Sequence, residues 1–539
     1  MNGLSRRTLL SRAAVLGGTA LVVPPFAATI AGADEGPARP ANALTVPRGD
    51  HRHAALSRGQ NMRWVSNPDV VRLPVTTTEV VNAVGEAVRT GKRLSVRSGG
   101  HCYEGFVDHP EVQVIIDMSC MDAVRFDTAR GAFEVEAGAL LGDVYGTLLR
   151  RWGVTLPGGS CHTVGVGGHV TGGGYGQLGR QHGLIVDYVQ AVEVVVVDQA
   201  GVAKAVIATR EANDPNRELW WAHTGGGGGS FGVVTRFWFR DPGATGSDPT
   251  KLLPAPPAEV WIHRVEWPWD NLTEPRFTRL LRNFGQWHER NSAVNSPYAK
   301  LFSRLELSTK ATAPNHLIVQ MDATAPDSER LLDAFVAAIG EGVGVTPQVT
   351  DKRKLPWLQS TGWQGLWVHT PTDRYKYKSS YHRKGFTDPQ IAALYKALTA
   401  TTYTHLGFAV SIASYGGKIN TVPAEATAEP HRDSVLKLLW GTAWAEAADD
   451  KRNLQWHQEF YQQVYADTGG VPVLNEVTDG CFINYADIDI SDPAWNRSTV
   501  PWTELYFKGS YRRLQLAKAK WDPRNVFRHA QSIRLPGTR

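Results

Sequence analysis

The stretch Val96-Arg97-Ser98-Gly99-Gly100-His101 decides the fold, because an apolar run ends there in two glycines and an imidazole. Further along, LPGGSCHTVGVGGHVTGGGYG (Leu156–Gly176) presents a thiol, Cys161, within a second glycine-rich loop. Glycine accepts positive φ and lets backbone N–H groups approach an anion closely. One nucleophilic imidazole and one nucleophilic thiol on such loops predict a flat, phosphate-bearing cofactor held at two covalent points. Arg97, Ser98, Gly99 and Gly100 are expected to turn backbone N–H groups toward a pyrophosphate, and Gly165, Val166, Gly167 and Gly168 to line the same group. VGVGGH departs from the dinucleotide fingerprint, since His169 and Val170 stand where a third glycine would come, which argues against NAD.

Outward from the first loop, Glu79–Thr90 carries Val80, Val81, Val84, Ala87 and Val88 on one helical face, with Thr76, Thr77 and Thr78 available as caps. The strand Arg93–Val96 follows, then further strands at Val112–Asp117 and Phe133–Ala137 and a helix over Leu140–Trp152 that stops at Gly153. Val192–Val197 and Lys204–Ala208 read as paired strands about Gln199-Ala200-Gly201, and Val233–Phe239 as another. Gly225–Gly229 reads as a tight structural turn. The mixture predicts an α+β fold and not a regular doubly wound sheet. Asp241-Pro242-Gly243 and Leu253–Pro257 mark an exit from the first region. The expected division is 50–247, 248–475 and 476–539, the last returning to the first. Leu317–Met321 should be a strand and Ser328–Ile339 and Asp388–Thr399 helices, in a middle region where Trp261, Trp267, Trp269, Trp357, Trp363 and Trp367 concentrate.

At 539 residues the chain exceeds what one hydrophobic core usually organises. A net charge of +5, with Lys and Arg scattered, argues against nucleic acid as a partner. Ser5-Arg6-Arg7-Thr8-Leu9-Leu10, the apolar Ala13–Ile30 and the small residues Ala31-Gly32-Ala33 read as a twin-arginine signal occupying 1–33. Secretion after folding is therefore expected. Elsewhere no apolar run is long enough to span a bilayer, so no stable membrane association is expected. Cys102, Cys120, Cys161 and Cys481 match neither a disulfide framework nor a zinc pattern, and no metal is expected.

The two loops, together with GGGYGQLGR (Gly172–Arg180), GGGGGSFGVVT (Gly225–Thr235), CFINYAD (Cys481–Asp487) and WDPRNVFRHAQSI (Trp521–Ile533), keep one order along the chain. In this the sequence resembles the berberine-bridge-enzyme-like, bicovalent FAD-linked oxidases of the vanillyl-alcohol-oxidase superfamily. Ala87–Asp108, Ala191–Gly201 and Gly385–Ile391 resemble the hexose oxidases of glycopeptide-antibiotic pathways within it, and secreted oligosaccharide oxidases belong to the same family. The resemblance implies an FAD-binding PCMH-type domain of two α/β subdomains. It also implies a substrate domain whose antiparallel sheet is covered by helices.

By the same resemblance, His101 bonds the flavin at its 8α methyl and Cys161 at C6, and Gly173, Tyr175 and Asn484 join the residues around the cofactor. Tyr485, in Phe482-Ile483-Asn484-Tyr485, takes the base role that alcohol oxidation needs. A phenol ordinarily titrates near about 10, so a nearby cation is expected to lower it. Tyr381 is a second candidate for orienting or deprotonating the substrate. Val170 is expected to border the pocket through which O2 reaches the flavin. The expected substrate is a small-molecule alcohol or saccharide, with O2 as acceptor and H2O2 as product. A tailoring oxidase of a non-sugar metabolite, or a silent flavin- or glycan-binding protein, is the alternative. The substrate's identity and the oligomeric state stay open.

Overall fold

The computed structural model describes residues 42–363, 373–401, 403–404 and 407–537. The expected export signal at 1–33 and Trp367 lie outside the described residues. The apolar face predicted near Glu79 folds as the helix Thr77–Arg89. Thr76 accepts a hydrogen bond from Glu79 N, and the Glu79 carboxylate bonds back to the Thr76 backbone, a reciprocal cap worth about 1 kcal/mol. The helix delivers the chain to the strand Leu94–Arg97, which ends at the first glycine loop. This strand runs parallel to Val114–Asp117, itself parallel to Val70–Leu73, while Leu44–Pro47 adds an antiparallel edge.

A second, antiparallel sheet has the spatial order Val124–Asp127, Ala132–Glu136, Val233–Phe239, Val189–Val197, Ala203–Thr209. Val195, Val197 and Val233 join the helix Thr77–Arg89 and Ile116 in one small core, so the two sheets share apolar packing. The helix Leu141–Trp152 ends at Gly153, whose φ of 70° is the left-handed cap that glycine supplies.

The third sheet is antiparallel, ordered Gln348–Pro356, Glu259–Trp267, Asn315–Asp322, Leu301–Leu307, Val410–Ser414, Leu436–Trp444, Arg374–His382. The helices Glu274–Asn291, Ser328–Gly340, Asp388–Thr399 and Asp450–Val464 bury Phe277, Leu281, Phe335, Leu394 and Phe460 against it and against one another. Leu436–Trp444 is buried at every position, which leaves its polar members no exit to water. Trp267, Trp269 and Trp357 lie in this core. The chain then returns through the helix Tyr511–Trp521. Buried Lys518 Nζ donates to Asp522 Oδ2 (2.6 Å), the Phe527 carbonyl (2.6 Å) and the Ser230 carbonyl (2.7 Å), and Phe527 enters the first region's core.

By its glycine content Leu156–Gly176 reads as a loop. Val166–Thr171 is instead a short helix. Glycine disfavours helices by about 1 kcal/mol per residue, but packing of Val166 and Val170 into the main core outweighs it here.

Candidate active site

The two glycine loops meet back to back. A Cβ on Gly99 would fall 2.3 Å from Gly165 N, and one on Gly165 would fall 2.0 Å from Ser98 Oγ. Only glycine permits this approach, and with it His101 and Cys161 open on one cleft. That cleft encloses about 1860 Å³ of empty space, its mouth included. Arg97, Ser98, Gly99, Gly100, Gly165, Gly167, Gly168 and Asn484 line it. The Arg97 side chain ion-pairs with Asp117 at 2.6 Å, which fixes the strand end behind the loop. Thr163 Oγ1 holds His101 Nε2 at 2.9 Å. Asn484 Nδ2 donates to the His169 carbonyl at 2.9 Å, tying the C-terminal segment to the second loop.

Gly227, Gly228 and Gly229, read as a structural turn, also line the cleft, as do Phe527, Arg528, His529 and Gln531 from the C-terminal segment. Three further lining residues, His169, His223 and His529, went unassigned in the sequence reading. Burial holds each imidazole down at about 4, so all three are neutral at physiological pH.

Five sequence-predicted residues stand elsewhere. Val166 and Val170 are four apart on the short helix and share its core face, whereas Gly167, Gly168 and Thr171 line the cleft. Val170 is fully buried in packing and does not border the cleft. Gly173, with φ 106°, packs on Glu429, not on the cleft lining. Tyr175 does not line the cleft; its hydroxyl donates to the Ser414 carbonyl. Tyr381 is fully buried in the third sheet, stacked on His431 with ring centroids 4.2 Å apart. It makes no wall of the cleft and is a packed residue.

Tyr485 does line the cleft. The sequence reading expected a cation to lower its phenol. In the protein, burial comes first and pushes it above the usual value, with the nearby Cys161 sulfur acting in the same direction and Arg304 against it. A lysine does stand over the ring. Lys437 Nζ sits 3.6 Å from the Tyr485 ring centroid, 4.2 Å from Phe482 and 4.9 Å from Tyr175. Burial drives the Lys437 ammonium well below its ordinary range, opposed by the Glu429 carboxylate. A phenol pushed up and an amine pushed down leave the proton of the pair on the phenol. Lys437 was missed although its signal is visible: a single lysine in the apolar run Val435–Trp444.

Comparison with known proteins accounts for this architecture. Residues 68–201 match a family model described as FAD binding domain, and residues 481–534 one described as Berberine and berberine like. The chain is 49% identical over 546 residues to the aclacinomycin-N/aclacinomycin-A oxidase of Streptomyces galilaeus, covering 100% of this chain and 99% of that one. CrmK, a flavoenzyme involved in shunt product recycling in caerulomycin biosynthesis, superposes with a TM-score of 0.89 at 49% identity, over 92% of this chain and 99% of that one. The glycopeptide hexose oxidase DBV29, solved in complex with teicoplanin, gives 0.88 at 48% identity, over 92% and 99%. The chain therefore belongs to the berberine-bridge-enzyme-like family of FAD-linked oxidases, with their PCMH-type α+β fold.

The residues present fit FAD. Gly168 lines the cleft and has nothing within 4 Å of where a Cβ would stand, so a side chain there would intrude on the cofactor's space.

Proposed function

We propose that the protein oxidises an alcohol of a sugar, oligosaccharide or glycosylated metabolite, using FAD attached to both His101 and Cys161, and releases H2O2. The observation that carries this reading is the convergence of His101, Cys161 and Tyr485 on one cleft. Bound FAD supplies a ring that accepts a hydride and passes the electrons to O2.

The chain's own groups do the rest. Tyr485 takes the proton of the substrate hydroxyl as its C–H bond breaks. Lys437 Nζ stands 3.6 Å from that ring's centroid, and a proton carried there would stabilise the phenolate. Attachment through Cys161 also matters to Tyr485. A thioether carries no charge, so consuming the thiol removes one influence that raises the phenol. Tyr103, Tyr375 and Tyr377 line the cleft beside Tyr485 and give a substrate aromatic faces to lie against. Relatives about equally similar to this chain carry names pointing to different substrates, so the reading names a class and no single compound.

The export signal read at 1–33 supports work outside the cytoplasm. Mass spectrometry of protein from culture medium should find a new N-terminus just after Ala33. A peroxide-release screen over monosaccharides, oligosaccharides and glycosylated antibiotics tests the activity. Turnover confined to non-glycosylated alcohols would overturn the substrate reading.

A further inference from the structure

One ammonium group ties together the chain segments that supply the cleft's tyrosines. Lys376 Nζ bonds Glu104, next in the chain to Tyr103, and Asp487 at 2.7 Å, two residues beyond Tyr485. Lys376 itself stands between Tyr375 and Tyr377 on the strand Arg374–His382. Successive strand residues face opposite ways, so the two tyrosines reach the cleft while the lysine reaches the ion cluster behind it. Lys378 Nζ doubles the grip, at 2.7 Å from Asp487 and 2.6 Å from Asp489. The Ile488 N–H donates to Glu104 at 3.3 Å, and Gln531 Nε2 to the Asp487 carbonyl at 2.7 Å.

The side chains of Lys376 and Glu104 are each 1% exposed, and those of Lys378 and Asp487 each 2%. Burying so many charges is costly, and well-packed apolar residues would often stabilise a core at least as well. What the cluster does provide is orientation. In front of it, Tyr103 stacks on Tyr485 with centroids 5.6 Å apart and planes 23° apart, and contacts Tyr377 at 4.7 Å and Tyr375 at 5.8 Å. Lys376 does not line the cleft, so it touches neither cofactor nor substrate there.

We infer that Lys376 is a positioning residue: through Glu104 and Asp487 it fixes the Tyr103–Tyr485 stack and so sets where the Tyr485 hydroxyl meets the substrate. The inference rests on Tyr485 being the base. Displacing a catalytic group by about 1 Å can cost about 100-fold in rate, so a pin behind the stack has a measurable consequence.

The test uses the holoenzyme and the double variant K376M/E104L, which removes one charge of each sign, with E104Q as a gentler change. Flavin content and melting temperature are compared first. Anaerobic flavin reduction, KM and reoxidation by O2 are then measured, each also in a Y485F background. Reduction should fall about 10–100-fold in K376M/E104L and less in E104Q, with KM and reoxidation within about two-fold. In the Y485F background the same substitutions should add almost nothing, because a residue acting through Tyr485 has nothing left to position. Additive losses in the Y485F background, or an unchanged reduction rate, would overturn the inference. Loss of flavin or of folding in both variants would overturn it too, by making the cluster a folding element. A Y485F enzyme that reduces normally would instead refute the base reading itself.

Discussion

The cleft is lined in two different ways. Around His101 and Cys161 the lining is backbone: Gly99 and Gly165 in contact, with Gly167, Gly168 and Gly227–Gly229 beside them. Around Tyr485 it is side chain: Tyr103, Tyr375 and Tyr377 in front, and the buried lysines Lys437, Lys376 and Lys378 packed close to or behind them. The difference follows from the ligands. A phosphate-bearing cofactor is met by N–H groups, which any sequence possesses once glycine lets them approach. Moving a proton needs a group of tuned basicity, and burial beside a specific partner is how a protein tunes one. Where Gly99 meets Gly165 the first lining leaves no room for an added atom, whereas the second is backed by buried ion pairs.

Tyr485→Phe should break the side-chain lining most severely. Flavin content should survive while anaerobic reduction slows by about 10²–10⁴-fold, the usual reach of general-base catalysis; rapid-mixing spectrophotometry reads it. Lys437→Met removes the nitrogen 3.6 Å from that ring and should slow reduction by about 10–100-fold, by taking away the charge that a protonated amine would lend the phenolate. The pH profile sharpens the assignment. Burial holds the Tyr485 phenol above its usual value, and the base must be deprotonated to act. Reduction should therefore keep rising with pH from 6 to beyond about 10. A plateau near neutrality would give the proton-accepting role to Lys437, whose amine is held well below its ordinary range.

The backbone lining should break sterically. Gly99→Ala sets a Cβ 2.3 Å from Gly165 N and 2.6 Å from the Thr163 carbonyl, and overpacking of this kind costs about 1–3 kcal/mol. A lowered melting temperature with reduced flavin incorporation is the expected result. Val170→Leu should have the smallest effect. Val170 sits in core packing off the cleft, so both half-reactions should change together and by no more than a few-fold. A selective loss of reoxidation would restore the oxygen-gate reading.

What was legible in the sequence follows the same division. The strand Val233–Phe239 and the helix Asp388–Thr399 have the predicted bounds, because local periodicity and the cap at Thr387 fix them. The loops of His101 and Cys161 were readable because each is contiguous in the chain. The position of Tyr381 was not legible because it depends on which strands are neighbours. Lys437 lies opposite Tyr381 in the sheet register and beside Tyr485 in space, and no local pattern joins those three. Glu104 and Lys376 are 272 residues apart. Val170 was misread for a different reason: a short glycine-rich helix, not a loop, sets its direction.

Attachment of one FAD to two residues of this chain is tested by denaturing the purified protein in acid and digesting it. The account predicts a precipitate that stays yellow and a cross-linked fragment in which the His101 and Cys161 peptides share one flavin mass. Replacing either residue should leave a singly attached flavin with altered absorbance. A colourless precipitate, with all flavin in the supernatant, would contradict the account.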